Sequence, residues 1–269
     1  MNLNNDNYFS EQADFEYMSA SQFKEFAGTP GKLGCEERAM ATLRGEYVRK
    51  KTTALMVGSY VDAYFEGGES FGKFQIENPE IFTKTGGLKA EYRKADEIIA
   101  RIERDDFFMS CMSGEKQVIM TGEIFGIPWK IKMDSYIPDT VIVDMKIVES
   151  IRKQKWVKEY GNMDFIRYWG YDIQGAIYQE IVRQNTGKKL PFYIAAASKE
   201  PTTDIQVIHV WDQFLNQAMD YVGNHIRRVH DVKLGNEKPE RCGVCDYCLE
   251  TKVIHEPISL LDLDQQQLI

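Results

Sequence analysis

The sequence lacks any long apolar segment, and it has fewer positively charged than negatively charged residues. No apolar run approaches the roughly 18 residues that cross a membrane, and the polar, acidic N-terminus lacks the pattern of a signal peptide. We therefore expect a cytoplasmic protein with no membrane contact. Across 269 residues, 33 Lys and Arg stand against 41 Asp and Glu, a net charge of −8. This charge disfavours bulk attraction to nucleic acid, so such a contact would need a local basic patch or bridging metal ions.

Histidine and cysteine are also few. The four histidines form no group with ligand spacing, and we assign them no role. The five cysteines are, in a reducing compartment, metal ligands or free thiols rather than disulfides. Hydrophobic content of 43% and charged content of 28% are typical of a globular protein. We expect a flexible segment over residues 1–17, a single domain over 18–255 and a tail over 256–269.

The most informative stretch is Thr140–Val148, where β-branched residues predict a strand buried on both faces. Asp144 and Lys146 interrupt this apolar run, and because side chains alternate along a strand they point to the same face. Burying either charge alone costs on the order of several kcal/mol of folding free energy, so each charge needs a partner or a metal. A structural ion pair is one interpretation of this pattern.

A second acid lies just upstream of that strand. Asp134 ends an apolar run that begins near Gly126, and a Pro-containing turn separates it from the central strand. An antiparallel hairpin would bring Asp134 beside Asp144. Two carboxylates and a lysine at one sheet edge are suited to Mg²⁺-dependent phosphodiester hydrolysis. The acids hold the metal, the metal lowers the pKa of a bound water, and the lysine orients that water or offsets phosphate charge.

Several flanking elements follow from hydrophobic periodicity. Helices are predicted for 53–65, with Gly58 one turn before Asp62, and for 165–183, where Gln174 and Tyr178 share one face. Further strands are predicted at 116–121, 124–134, 192–197 and 205–210, and a last helix at 212–232. Glu123 is either another metal carboxylate or a turn-facing residue. The basic cluster around Trp156 suits a DNA-backbone contact or a solvated linker.

Taken in order, G-x-x-x-D, D, D-x-K and Q-x-x-x-Y resemble the RecB-like branch of the PD-(D/E)xK nuclease superfamily, and most closely its RecE-type exodeoxyribonuclease domains from phages and prophages. The resemblance implies an α/β, restriction-endonuclease-like core with a central mixed sheet flanked by helices. It implies metal ligands at Asp62, Asp134 and Asp144, with Asp62 standing where many relatives have histidine. It also implies a catalytic role for Asp134, Asp144, Lys146, Gln174 and Tyr178, with Mg²⁺ or Mn²⁺ as the ion.

The remaining motif is Cys242-x-x-Cys245-x-x-Cys248, with Cys35 as a remote fourth cysteine. These spacings repeat those of ferredoxin-like iron–sulfur sites, whereas zinc sites more often use two separated pairs. Several RecB-like nucleases are similar in holding a [4Fe-4S] cluster with one N-terminal and three C-terminal cysteines. The resemblance therefore implies such a cluster, with structural Zn²⁺ as the alternative. Either metal would join the N- and C-terminal helical parts, and Cys111 is left as a structural thiol.

The resemblance implies a metal-dependent DNA exonuclease that resects linear DNA ends in phage-type recombination and passes a strand to an annealing protein. One alternative is an iron–sulfur nuclease of the CRISPR-adaptation type. The other is a non-catalytic DNA-end-binding subunit on the same fold. The intact set of Asp134, Asp144 and Lys146 weighs against this second alternative, because a site that has lost its function has no physical reason to keep buried charges without partners. Strand polarity, single- or double-strand preference and oligomeric state stay open.

Overall fold

A computed structural model describes residues 1–260, and its helices and strands form a mixed α/β fold. The described α-helices are α1 (Glu11–Glu16), α2 (Ala20–Ala27), α3 (Glu36–Leu43), α4 (Thr53–Glu66), α5 (Gly68–Glu77), α6 (Lys94–Ile102), α7 (Asp106–Cys111), α8 (Phe165–Trp169), α9 (Tyr171–Thr186), α10 (Asp212–Lys233) and α11 (Asp246–Glu250). The described strands are β1 (Gly28–Thr29), β2 (Lys32–Leu33), β3 (Val118–Ile124), β4 (Ile127–Met133), β5 (Ser135–Ile137), β6 (Val141–Val148), β7 (Lys155–Val157), β8 (Gly161–Met163), β9 (Phe192–Ser198) and β10 (Ile205–Val210).

The central sheet has the strand order β10–β9–β6–β5. Strand β6 runs parallel to β9 and antiparallel to β5, and β9 and β10 are antiparallel. The predicted mixed sheet is therefore confirmed. Strand β5 pairs only with Val141–Val143, so β5 leaves the second half of β6 uncovered on that side. That open half begins at Asp144.

Helices cover both faces of this sheet, which explains why β6 is apolar on both sides. Ile142 packs in one hydrophobic cluster with residues of α2, α9 and α10. Its neighbours Val143 and Met145 pack in a second cluster with residues of α4 and α6. The alternation of side chains along a strand thus sends successive residues into different cores.

Two predicted elements are interrupted in the structure. The strand expected over 124–134 begins after a tight turn at Phe125 and Gly126, both with positive φ. Strand β4 then pairs with β3 in a separate two-stranded ribbon, and β5 rather than β4 forms the antiparallel pair with β6. The helix expected over 165–183 is broken at Gly170, which has φ of 64°. A Cβ at Gly170 would lie 2.7 Å from Thr29, so both conformation and packing require glycine there.

The N-terminal segment holds more structure than its aperiodic sequence predicts. Ser10 caps α1 by accepting from the Ala13 N–H, and Tyr8 and Ala13 are buried. Lys130 of β4 is 1% exposed and donates to the Asp14 carboxylate at 2.6 Å and to the Tyr8 carbonyl at 2.5 Å. The segment thus supplies the partners that a buried ammonium group requires.

No helix of the described chain is long and apolar enough to cross a membrane. The first part of the predicted C-terminal tail, residues 256–260, is exposed. The rest of that tail, residues 261–269, lies outside the described residues.

Candidate active site

The β5–β6 pairing brings the two acidic residues of the D…D-x-K pattern together. Ser135 is opposite Val143 in the register, so the preceding residue, Asp134, comes opposite Asp144. The Asp134 Oδ2 atom accepts the Met145 N–H at 2.9 Å. Asp134 lies between β4, which pairs with β3, and β5, which pairs with β6. At this change of pairing partner the Asp134 carboxylate faces the open half of β6.

Asp144 lies deep in the protein, with 1% of its surface exposed. Its Oδ1 atom accepts a hydrogen bond from Gln174 Nε2 at 2.6 Å. Its Oδ2 atom forms an ion pair with the Lys146 ammonium group. That oxygen has no well-aligned hydrogen bond from the described residues. One carboxylate oxygen therefore accepts a hydrogen bond, and the other is held by the ion pair with Lys146.

Negative charge is concentrated around these two acids. Burial, with the nearby Asp144 charge, raises the pKa of Asp134 to about 7. Burial opposes the charge of Lys146, but the Asp144 and Asp134 carboxylates outweigh it and raise the pKa of that lysine. A carboxyl group with a raised pKa therefore lies next to a buried carboxylate oxygen that accepts no well-aligned hydrogen bond from the described residues. A divalent cation would stabilise this arrangement. The donor set, carboxylate oxygen, is the one that Mg²⁺ and Mn²⁺ prefer.

Asp62 lies on α4, which covers the face of the sheet opposite to that covered by α9. Its side chain is open to solvent, yet surrounding protein raises the pKa of its carboxyl, and the Asp134 charge adds to this shift. Among the described residues, the only compact group of three or more metal-binding side chains is the cysteine group below, so the three aspartates are not drawn into a closed cage. A Cβ at Gly58 would lie 3.9 Å from Ile147, so close packing does not require that glycine.

Helix α9 connects the two strands of the site. Gln174 reaches Asp144 on β6. One turn later, the hydroxyl of the buried Tyr178 donates to the Lys132 carbonyl at 2.9 Å, two residues before Asp134. The shared helical face predicted for Gln174 and Tyr178 therefore points at the site, and each residue contacts a different carboxylate-bearing segment.

Sequence reasoning assigned no site role to three residues that lie close to the site, namely Lys24, Tyr171 and Glu66. Lys24 of α2 donates to the Trp169 carbonyl at 3.3 Å and lies 5.3 Å from the ring centre of Tyr171. Lys146 lies 5.1 Å from the same ring. Glu66, one turn after Asp62, adds a further charge that raises the pKa of Asp62 and Asp134. The i,i+4 spacing could have identified Glu66, but nothing local identifies Lys24.

Glu123 does not contribute to the site. Its side chain is exposed, and its backbone N–H and carbonyl both bond to the Gln184 amide. The turn-facing interpretation of Glu123 fits this placement, and the metal interpretation does not.

The four predicted cysteine ligands meet at a second site. The Sγ atoms of Cys35, Cys242, Cys245 and Cys248 all lie within 4.8 Å of one another. Cys35 Sγ is 3.5 Å from Cys248 Sγ, and Cys242 Sγ is 3.9 Å from Cys248 Sγ. The Arg228–Glu36 ion pair at 2.8 Å joins the same two parts of the chain. Cys111 is buried and lies outside this group.

Four buried or half-buried thiols at this separation fit a metal site. Burial opposes ionisation of Cys242, but backbone N–H groups of Val244 and Cys245 lower the pKa of its thiol to about 7. Thiolates are the form that binds metal. Ligands of one tetrahedral zinc ion, about 2.3 Å from sulfur, lie about 3.8 Å apart. A four-iron cluster, with an iron behind each thiolate, would need the sulfurs to move apart.

Residues 19–251 match a protein family described as a PDDEXK-like domain of unknown function (DUF3799). Among solved structures, the chain is similar to a protein from Eubacterium rectale that is named as a proposed exonuclease. The two sequences are 57% identical, the match covers 98% of each chain, and the TM-score is 0.93. No curated protein matches the chain.

Proposed function

The chain belongs to the family of PDDEXK-like domains, and from this membership we propose that it is a divalent-metal-dependent exodeoxyribonuclease. The observation that carries the proposal is the buried Asp144 carboxylate, held between Lys146 and Gln174 with Asp134 opposite it on the paired strand. A nuclease fold alone does not establish chemistry. Here Asp134, Asp144 and Lys146, which are residue types suited to phosphodiester hydrolysis, lie together at the open half of β6, and this supports the proposal.

Each residue has a distinct proposed role. Asp134 and Asp144 would hold a Mg²⁺ or Mn²⁺ ion, and Asp62 would approach it from α4. When bound, such an ion supplies Lewis-acid polarisation and makes a water molecule nucleophilic at neutral pH. Lys146, kept protonated by the two acids, offsets negative charge on the attacked phosphate.

Helix α9 provides the positioning. The Gln174 amide fixes one Asp144 oxygen, which leaves the other oxygen facing Lys146 and the proposed ion. Tyr178 holds the chain at Lys132 and so limits where Asp134 can lie. In the reaction, the water oxygen bonds to phosphorus, the phosphorus–oxygen bond to the leaving nucleotide breaks, and a proton passes to that leaving oxygen.

The exonuclease assignment is supported by the 57% identical protein named as a proposed exonuclease. Action on linear DNA ends, passage of a strand to an annealing protein, and a role in phage-type recombination are further parts of the proposal. These parts rest on the resemblance to RecE-type exonuclease domains, and the proposed cytoplasmic location rests on the absence of a signal-peptide pattern in the sequence.

For the cysteine site we propose a [4Fe-4S] cluster, with structural Zn²⁺ as the alternative. The C-x-x-C-x-x-C spacing with a remote fourth cysteine supports the cluster. The sulfur–sulfur distances of 3.5 and 3.9 Å support a single tetrahedral zinc ion. Anaerobically purified protein should be brown and contain iron if the cluster is present. Colourless protein with about one zinc per chain would establish the alternative.

End-labelled linear DNA and closed circular DNA provide the test of the nuclease proposal. With Mg²⁺ or Mn²⁺ the linear DNA should be digested from its ends while the circle survives, and EDTA should stop the reaction. The Asp144→Asn variant, which keeps the side-chain shape, should be inactive on both. Equal digestion of circle and linear DNA would contradict exonuclease action. DNA binding without cleavage under any metal would favour a non-catalytic end-binding protein.

A further inference from the structure

Three lysines, two from the α2–β2 segment and one from β7, converge on the aromatic residues around the α8–α9 junction. The Lys32 ammonium is 4.8 Å from the Trp169 ring centre. The Lys155 ammonium is 5.0 Å from the same ring and 4.6 Å from that of Tyr168. The Lys24 ammonium is 5.3 Å from the ring of Tyr171. We call these six residues (Lys24, Lys32, Lys155, Tyr168, Trp169 and Tyr171) the lysine–aromatic surface.

The positive charge of this surface is poorly compensated. Within residues 1–260, Lys24 and Lys32 form no ion pair with a carboxylate. Lys155 reaches Glu149 only at 3.8 Å, and Glu149 is already paired with Lys153 at 2.8 Å. The two neighbouring cations of the sequence cluster, Arg152 and Lys153, are by contrast paired with Asp204 and Glu149. This group of lysines is opposite in sign to the net charge of the chain, which is −8.

The pKa shifts of Lys24 and Lys32 agree with these contacts. Burial, with the nearby Lys146 charge, lowers the pKa of Lys24 to about 8. Partial desolvation by the surrounding protein, with the nearby Arg49 charge, also lowers the pKa of Lys32, although its side chain is exposed. Removal from water lowers the pKa of a lysine, and an anion placed beside the ammonium group opposes that shift. Phosphate groups are anions of the required charge.

The surface adjoins the candidate active site. The Tyr171 ring lies between Lys24, 5.3 Å from its centre, and Lys146, 5.1 Å from its centre. At its other end, Lys155 and Trp169 line a small cavity together with Val148, the last residue of β6. The lysine–aromatic surface thus runs from the D-x-K lysine along the C-terminal end of the catalytic strand.

We propose that the lysine–aromatic surface binds the backbone of single-stranded DNA on its way to the Asp144–Lys146 site, an inference that rests on the proposed nuclease function. Lysines interleaved with aromatic rings match single strands, because the cations meet phosphates while unstacked bases meet the rings. A duplex keeps its bases stacked internally and offers no such faces. The aromatic rings also hold the lysine stems in place through cation–π contacts.

The test measures binding in EDTA, so that no cleavage occurs. A fluorescein-labelled thymidine oligonucleotide is titrated with the full-length protein and followed by fluorescence anisotropy at several salt concentrations. The variants are Lys32→Ala, Lys155→Ala and the double variant, since Lys32 is exposed and Lys155 half-buried. Lys84→Ala is the matched control, because this lysine is also exposed. It lies between Phe82 and Leu88, which pack in the hydrophobic cluster of α4 and α6, away from the lysine–aromatic surface.

Each lost phosphate contact should reduce the slope of log K against log salt by about 0.7, the value for single strands. If the variant and the unmodified protein bind equally well at about 1 M salt, this difference in slope makes binding about eightfold weaker at ~50 mM salt for each lysine removed. The Lys84→Ala control should bind like the unmodified protein. A purely structural role for the lysines would change thermal stability without changing the salt slope.

The outcomes separate this proposal from the nuclease proposal. If the unmodified protein binds and cleaves DNA but the double variant keeps its affinity and salt slope, the surface is wrong and the nuclease function stands. Binding of blunt duplex alone, with no affinity for the single strand, would also overturn the surface. If the unmodified protein neither binds nor cleaves any DNA, both proposals fall.

Discussion

Replacing Lys146 with methionine should leave the Asp144 carboxylate buried without its cation. The Asp144 side chain is 2% exposed and that of Lys146 is 19% exposed, and the two form an ion pair. Methionine keeps most of the length and apolar volume of the lysine stem. The substitution therefore removes charge with little change in packing, and the remaining partner of Asp144 is the Gln174 amide.

The expected loss of stability follows from that geometry. Removing one partner of a buried ion pair costs about 3–5 kcal/mol, and the partial exposure of Lys146 places the cost near ~3 kcal/mol. For a chain of this size a loss of 1 kcal/mol lowers the Tm by roughly 2–4 °C. The Lys146→Met variant should therefore melt about 6–12 °C below the unmodified protein in EDTA. Added Mg²⁺ should recover part of this loss, because the ion replaces the missing positive charge.

Thermal unfolding of four proteins, with and without Mg²⁺, provides the assay. Besides the unmodified protein and Lys146→Met, it includes the double variant Asp144→Asn with Lys146→Met, which should be more stable than Lys146→Met alone because no orphan charge remains. Lys153→Met is the control, since its pair with Glu149 is 2.8 Å long but both side chains are more than 60% exposed. An exposed pair contributes about 0–1 kcal/mol.

Two results would refute the reasoning. Lys146→Met could melt at the temperature of the unmodified protein, which would mean that Asp144 does not depend on the lysine. Alternatively, the double variant could be less stable than Lys146→Met, which would mean that the Asp144 charge is not the source of the loss. Cleavage of DNA by Lys146→Met at the unmodified rate would separately contradict its proposed catalytic role.

Three further substitutions test the remaining contacts. Asp62→Asn should weaken the response to Mg²⁺ or shift the preference toward Mn²⁺, whereas Asp220→Asn, an exposed change on α10, should not; matching metal titrations would remove Asp62 from the site. Cys35→Ser should lower the Tm and the metal content because metal binding contributes to folding, and Cys111→Ser should leave the metal content unchanged; full metal content in Cys35→Ser would contradict the four-cysteine site. Tyr178→Phe deletes the 2.9 Å hydrogen bond to the Lys132 carbonyl and should cost about 1 kcal/mol in urea unfolding. Its cleavage rate should also fall, since Asp134 is two residues away, and an unchanged rate would show that this bond does not position the acid.

The central strand and its two charges could be predicted because their signals are local. An apolar, β-branched run specifies a strand buried on both faces, and period-2 alternation puts Asp144 and Lys146 on one face. The hairpin that pairs Asp134 with Asp144 followed from the turn between the strands. The i,i+4 spacing likewise put Gln174 and Tyr178 on one side of a helix. Family resemblance then predicted the sheet, which the strand order β10–β9–β6–β5 confirms.

Other features depend on contacts that sequence periodicity does not contain. The break at Gly170 arises because α2 and the β1–β2 turn pack against that position, and no local pattern announces a neighbour more than a hundred residues away. The change of pairing partner at Asp134 depends on tertiary structure, because β4 pairs with β3 before this residue and β5 pairs with β6 after it. The ordered N-terminus depends on the buried Lys130 that it covers.

The sequence by itself determined which residues can bind a metal ion or line a site. They are the D-x-K pair, the second acid, the Q-x-x-x-Y helix and the four cysteines. Tertiary structure decided what each of them touches. It joined Cys35 to the C-terminal triple, aimed Gln174 at Asp144 and Tyr178 at Lys132, and brought Lys24 beside the ring that also faces Lys146. The physical reason is that strand and helix periods specify the face on which a side chain lies. Which other face it meets is set by the packing of the whole chain.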